Sequence, residues 1–93
     1  MSIFIVLLDG QGKADIKKRL HEKYEGAYEY HADDQIVFVR TDDIAEVVAT
    51  NIGIKGENQI SGATGAVFRI NSSYAGFTKN SLWDWLKQDV NDV

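Results

Sequence analysis

The run Ile3-Phe4-Ile5-Val6-Leu7-Leu8, closed by Asp9-Gly10, constrains this chain more than any other stretch. Six consecutive apolar residues, rich in β-branched and aromatic types, fit a strand covered on both faces, because a strand with one wet face alternates apolar and polar positions. The run is too short for a membrane span and lacks the basic leader of a cleaved signal, so no membrane association is expected. It predicts a central strand around which the other elements have to be layered.

Ninety-three residues make one domain, 1–93, with a single modest core. At that size, burial of an open sheet face in a partner matters, and a dimer is plausible from the start. There is no cysteine, which rules out disulfides and thiolate metal sites, and nothing points to export, so the expected location is cytoplasmic. Proline is absent too, leaving eight glycines to supply the turns. The formal charge of −4 argues against nucleic-acid binding over the whole surface, which needs clustered Lys and Arg. Five of the ten basic residues nevertheless fall in one segment: Lys13, Lys17, Lys18, Arg19 and Lys23. They form either a local contact patch or the solvated face of a helix.

Past Gly10-Gln11-Gly12, Ile16, Leu20 and Tyr24 recur every four residues, which predicts an amphipathic helix over 13–24, stopped by Glu25-Gly26. Ala27 to His31, with Tyr28 and Tyr30 alternating with smaller or polar residues, predicts a partly covered strand. A polar turn at 32–35 joins it to Ile36-Val37-Phe38-Val39, a second strand apolar on both faces. Thr41, Asp42 and Asp43 offer oxygens to a helix start, and Ile44, Val47, Val48 and Ile52 share one helical face that ends at Gly53. Lys55 to Gly65 shows no periodicity and is expected to be the mobile segment. Ala66 to Ile70 predicts a fourth strand, with Arg69 suiting an edge. After a loop at 71–77 and Thr78 as N-cap, Leu82, Trp83, Leu86 and Val90 share a broad helical face flanked by Trp85.

The order is βαββαβ with an added C-terminal helix, an α+β arrangement of the split βαβ or ferredoxin-like type. Its antiparallel sheet has the order 4-1-3-2. That order puts the first and third strands inside, and these are the two that are apolar on both faces. Both crossover helices then lie on one side, leaving the other side for the tryptophan helix or a second subunit.

Several stretches resemble the SinR-like proteins, small ferredoxin-like relatives of the CRISPR-associated proteins of the Cas-two type. They are the first strand ending in Asp9, the sequence Arg40-Thr41-Asp42 before the second helix, and Ser73-Tyr74-Ala75-Gly76-Phe77 ahead of Leu82-Trp83-Asp84-Trp85-Leu86. The resemblance implies a homodimer through the open sheet faces, with Asp9 of each copy near the two-fold axis. It implies either a scaffold that holds nucleic acid or a partner protein, or a nuclease in which the paired carboxylates hold one divalent metal, Mg or Mn. Leu8 stands where nuclease-like members usually carry an aromatic residue, and the hairpin lacks a Ser-Val-Phe-Glu type of motif.

Asp9 accordingly has two readings. Doubled by symmetry, it is a candidate metal ligand and catalytic residue for phosphodiester cleavage. Taken alone, Asp9-Gly10 is a turn whose carboxylate accepts backbone hydrogen bonds. Gly10-Gln11-Gly12-Lys13 lacks the spacing and the hydroxyl residue of a nucleotide-binding loop and reads as an ordinary strand-to-helix turn. His21 and His31 stand at no metal-ligand spacing. Tyr28 and Tyr30 point the same way and, with Lys13, Lys17 and Arg19, are the candidate contacts for nucleic acid or a partner, against core packing as the alternative. The function expected is a non-catalytic dimeric scaffold or adaptor, with nucleic acid or a protein as its partner. The alternatives are a metal-dependent endonuclease using paired Asp9 and a small-ligand-sensing module.

Overall fold

The computed structural model describes residues 1–31 and 35–70; the helix expected around Leu82 to Val90 and most of the turn at 32–35 lie outside them. The described chain runs β1 (Ser2–Leu8), α1 (Lys13–Tyr24), β2 (Tyr28–His31), β3 (Ile36–Thr41), α2 (Ala45–Ile52) and β4 (Gly65–Ile70). The four strands form one antiparallel sheet in the order 2-3-1-4, the expected 4-1-3-2 read from its other edge. No helix among the described residues is long and apolar enough to cross a membrane.

β1 pairs on both sides. Val6 stands opposite Val37 of β3 and Val67 of β4, and Ile5 opposite Phe38 and Phe68. Strand alternation divides its apolar run between two faces. Phe4, Val6 and Leu8 point into the main core with Val37 and Val39 of β3, Ile16, Leu20 and Tyr24 of α1, and Val48 and Ile52 of α2. Both helices therefore cover the same face. Ile3 and Phe38 lie on the opposite face, with Ile5, Ile36 and Ile70 packed against them.

α1 buries the three residues that its four-residue spacing selects, Ile16, Leu20 and Tyr24. α2 departs from expectation at its start. The residue flanking its first turn is Ile44, which is 64% exposed and outside the apolar face, and no side chain caps the helix. Thr41, Asp42 and Asp43 were the expected caps. Instead Thr41 Oγ1 accepts from the Asp43 N–H at 3.1 Å, closing a local turn, and the Asp43 carboxylate accepts from the Tyr24 hydroxyl at 3.0 Å. The inner face of α2 is Val48, Ala49 and Ile52, with Val47 left exposed.

Tyr24 also accepts from Asn51 Nδ2 at 2.9 Å, so one hydroxyl ties the end of α1 to both ends of the α2 segment. Burial pushes the Tyr24 pKa up to about 12; the Asn51 bond opposes the rise, and the Asp43 carboxylate adds to it.

The segment from Lys55 to Gly65, expected to be mobile, is pinned along its length, and its last residue opens β4. Ile60 N–H donates to Gly53 O at 2.8 Å, Gln59 N–H to Gly56 O at 3.2 Å and Ala63 N–H to Ile60 O at 3.0 Å. Ile60 and Ala63 are buried in the main core, and Arg19 of α1 donates to Asn58 O at 2.7 Å. Ile60 fits because of two glycines. A Cβ on Gly53, at φ +95, or on Gly12, at φ +76, would come within 2.5 Å of the Ile60 side chain. One apolar side chain in an aperiodic polar stretch gives no periodic signal, which is why sequence reasoning reads the segment as loose.

Truncating Leu20, which is fully buried, to Ala leaves a cavity under α1; a loss of about 3 kcal/mol is expected in urea unfolding monitored by circular dichroism. Tyr24 gives a pH signature. Its folded-state pKa lies above the unfolded value of 10.0, so the native state holds its proton longer, and this contribution is complete below pH 10 and lost as pH rises towards 12. Stability measured across that window should fall in the wild type and fall less steeply in Tyr24→Phe.

Candidate functional site

β1 ends at the centre of the sheet and delivers Asp9 to an exposed position beside the segment from Ile60 to Thr64. The Asp9 carboxylate accepts a hydrogen bond from Thr64 Oγ1 at 2.6 Å. Two backbone bonds flank it: Asp9 N–H donates to Thr64 O at 3.2 Å and Gln11 N–H to Gly62 O at 2.8 Å. The approach is close enough that a Cβ on Gly10 would lie 2.5 Å from Gly62 O, which only glycine tolerates. Asp9 thus latches the strand end to a segment 55 residues further on. Sequence reasoning missed Thr64, whose only signal is a hydroxyl residue between small neighbours, Ala63 and Gly65.

Whether this carboxylate fits a divalent metal is decided by its donor set. Mg²⁺ takes six oxygens in near-octahedral array, commonly with more than one carboxylate or a substrate phosphate. Among the described residues no group of three or more His, Cys, Asp or Glu is placed to hold an ion. The described residues therefore do not by themselves fit the ion around Asp9, which is already a hydrogen-bond acceptor.

The other candidates divide into two places. Lys13, Lys17 and Tyr30 come together with Leu8 and Ala14 around a cavity of about 250 Å³ near the start of α1. There the Lys17 ammonium sits 4.8 Å from the centre of the Tyr30 ring, a cation–π distance worth about 0.5–1 kcal/mol at an exposed site. Tyr28 packs edge-on against Tyr30 at 5.7 Å and lies 3.3 Å, through its hydroxyl, from His21 Nδ1. Both tyrosines are half-buried against the main core on the helix side of the sheet. Arg19 lies elsewhere on α1, bonded to Asn58 O. His31, at the end of β2, stands opposite Ile36 on the other face.

That other face is the second feature of the site. Leu7 is 40% exposed and Phe68, opposite Ile5, 52% exposed, both on the side away from the helices. The sequence showed both strands as apolar, but the pairing register is what sets Leu7 and Phe68 on one surface.

Comparison of the chain with family models, with curated proteins and with solved structures finds no match.

Thr64→Val removes the donor to Asp9 while keeping the side-chain shape. The expected cost is about 1 kcal/mol, the usual net worth of one hydrogen bond, together with faster amide exchange at Gly62 to Thr64; unchanged exchange there would mean that the latch holds nothing.

Proposed function

We propose that the protein is a non-catalytic homodimeric scaffold or adaptor with a ferredoxin-like fold of the SinR-like kind, working in the cytoplasm on a protein partner or on nucleic acid. The observation that carries this reading is the apolar sheet face opposite the helices, on which Leu7 and Phe68 are exposed. Large apolar side chains grouped on one surface mark a place where another molecule docks. The sheet order and the placing of both helices on one side support a ferredoxin-like arrangement, to which the expected C-terminal helix is an addition. The net charge of −4 favours a protein partner, while Lys13, Lys17 and Tyr30 around one cavity supply the local cationic and aromatic contact that nucleic acid would use.

A second reading, a metal-dependent nuclease, is favoured by the exposure of Asp9 at the end of the central strand. It needs the Asp9 of two copies to share one Mg²⁺ or Mn²⁺.

One set of variants separates the two. Leu7→Asp and Phe68→Asp should each weaken self-association by about tenfold or more in sedimentation equilibrium, as a charge in an apolar contact does. Asp9→Ala should leave association and partner retention intact. A wild-type dimer unaffected by both face substitutions overturns the scaffold built on this face. Mn²⁺-dependent cleavage of RNA or DNA that survives in Thr64→Val and disappears in Asp9→Ala establishes the nuclease instead.

A further inference from the structure

Residues 53–64 belong to no helix or strand, yet they are bonded to α1 at one end and to the end of the central strand at the other. Ile60 and Ala63 are buried, whereas residues 55–59, 61, 62 and 64 are exposed. Ala63 brings only a methyl group, so Ile60 is the one large buried side chain of the segment. A segment with few buried apolar contacts and a wet backbone opens at lower cost than the core, and such openings involve contiguous stretches.

The contacts that hold the segment shut converge on Ile60. Its N–H donates to Gly53 O at 2.8 Å, and its carbonyl accepts from Ala63 N–H at 3.0 Å. The bare Cα of Gly53 faces both Ile60 and Arg19: a Cβ there would stand 2.5 Å from Ile60 Cδ1 and 2.8 Å from Arg19 Nη1. That same Nη1 donates to Asn58 O at 2.7 Å. On the other side of Ile60, Gly62 O and Thr64 O accept from Gln11 N–H and Asp9 N–H, and Thr64 Oγ1 donates to the Asp9 carboxylate. The Arg19 contact, the Ile60 peg and the Asp9 contact thus follow one another along residues 58–64, too short a stretch for one to come away while the others stay seated.

We propose that residues 53–64 are a strap that opens and closes as one unit, and that Arg19, bonded near one end of it, is a positioning residue for Asp9 at the other. The two ends are then linked reciprocally. A group that draws Arg19 off Asn58 loosens the hold on Asp9, and one that draws Asp9 off Thr64 loosens Arg19 by the same factor. This linkage forms within one copy of the chain and does not depend on the scaffold reading.

Native-state hydrogen exchange on the full chain tests it. The amides of Gln59, Ile60 and Ala63 in the strap, and of Asp9 and Gln11 outside it, all donate to strap carbonyls. These five should share one opening constant, about tenfold or more above that of Val6 and Val37 in the sheet. Arg19→Met removes the guanidinium and should speed all five by about fivefold, the worth of one hydrogen bond, with Asp9 and Gln11 included. Arg19→Lys keeps a donor and should restore most of the protection. Val39→Ala weakens the core where β3 stands opposite Phe4, and should speed Val6 and Val37 while leaving the five unchanged. Asp9 and Gln11 amides that ignore Arg19→Met while Gln59 and Ile60 respond would overturn the single unit. Five amides as slow as Val6 and Val37, or equally sensitive to Val39→Ala, would overturn it too, because they would then open only with the whole fold. Should Val39→Ala fail to fold, the wild-type rates and Arg19→Met decide the question.

Discussion

The pairing of β1 with two neighbours is the constraint on which the rest depends. Because β3 and β4 take up hydrogen bonds on both of its edges, β1 has no exposed border, and its apolar run can only point up or down. Up is the main core, where Phe4, Val6 and Leu8 meet the helices. Down is a second apolar surface that an ordinary two-layer domain would make polar. A six-residue run with no polar member therefore gives the sheet two apolar faces, one covered by α1 and α2 and the other formed by Ile3, Ile5 and Phe38 with Ile36 and Ile70.

The segment between α2 and β4 is the other organising device. Its polar composition would leave it loose if hydrogen bonding to water were its only option, yet Ile60 inserts between Gly12, before α1, and Gly53, after α2. Those two glycines have positive φ, and the missing side chains make the socket. Seating Ile60 brings Gly62 and Thr64 against Gly10, Gln11 and Asp9, so the helix ends and the end of the central strand are fixed by one insertion. Arg19, on the outside, closes the same segment by binding Asn58 O.

Much of the fold was legible because it rests on periodicity. The four-residue spacing of Ile16, Leu20 and Tyr24 gave α1 with its observed bounds, and the doubly apolar character of 3–8 and 36–39 gave the inner strands and hence the sheet order. What stayed hidden depends on single residues meeting across long separations. Ile44 and Val47 share a helical phase with Val48 and Ile52, but the helix begins one residue after Ile44 because the Thr41–Asp43 turn delays it. Asp43 is drawn away from capping by a tyrosine 19 residues earlier, a choice no local pattern encodes. The candidate site followed the same rule: Asp9 was visible as a residue at a strand end, whereas Thr64, its partner, was not.

That partnership bears on how Asp9 can be interrogated at all. The carboxylate holds Thr64, Thr64 stands at the end of the segment that seats Ile60, and Ile60 belongs to the main core. Removing the carboxylate thus perturbs more than a ligand: it releases a latch whose loosening can reach the helix ends. A loss of any activity in Asp9→Ala would follow equally from an absent metal ligand and from a displaced segment. Thr64→Val separates the two, since it breaks the same bond and leaves the carboxylate in place. Activity that survives in Thr64→Val and dies in Asp9→Ala belongs to the carboxylate itself; activity lost in both belongs to the latch.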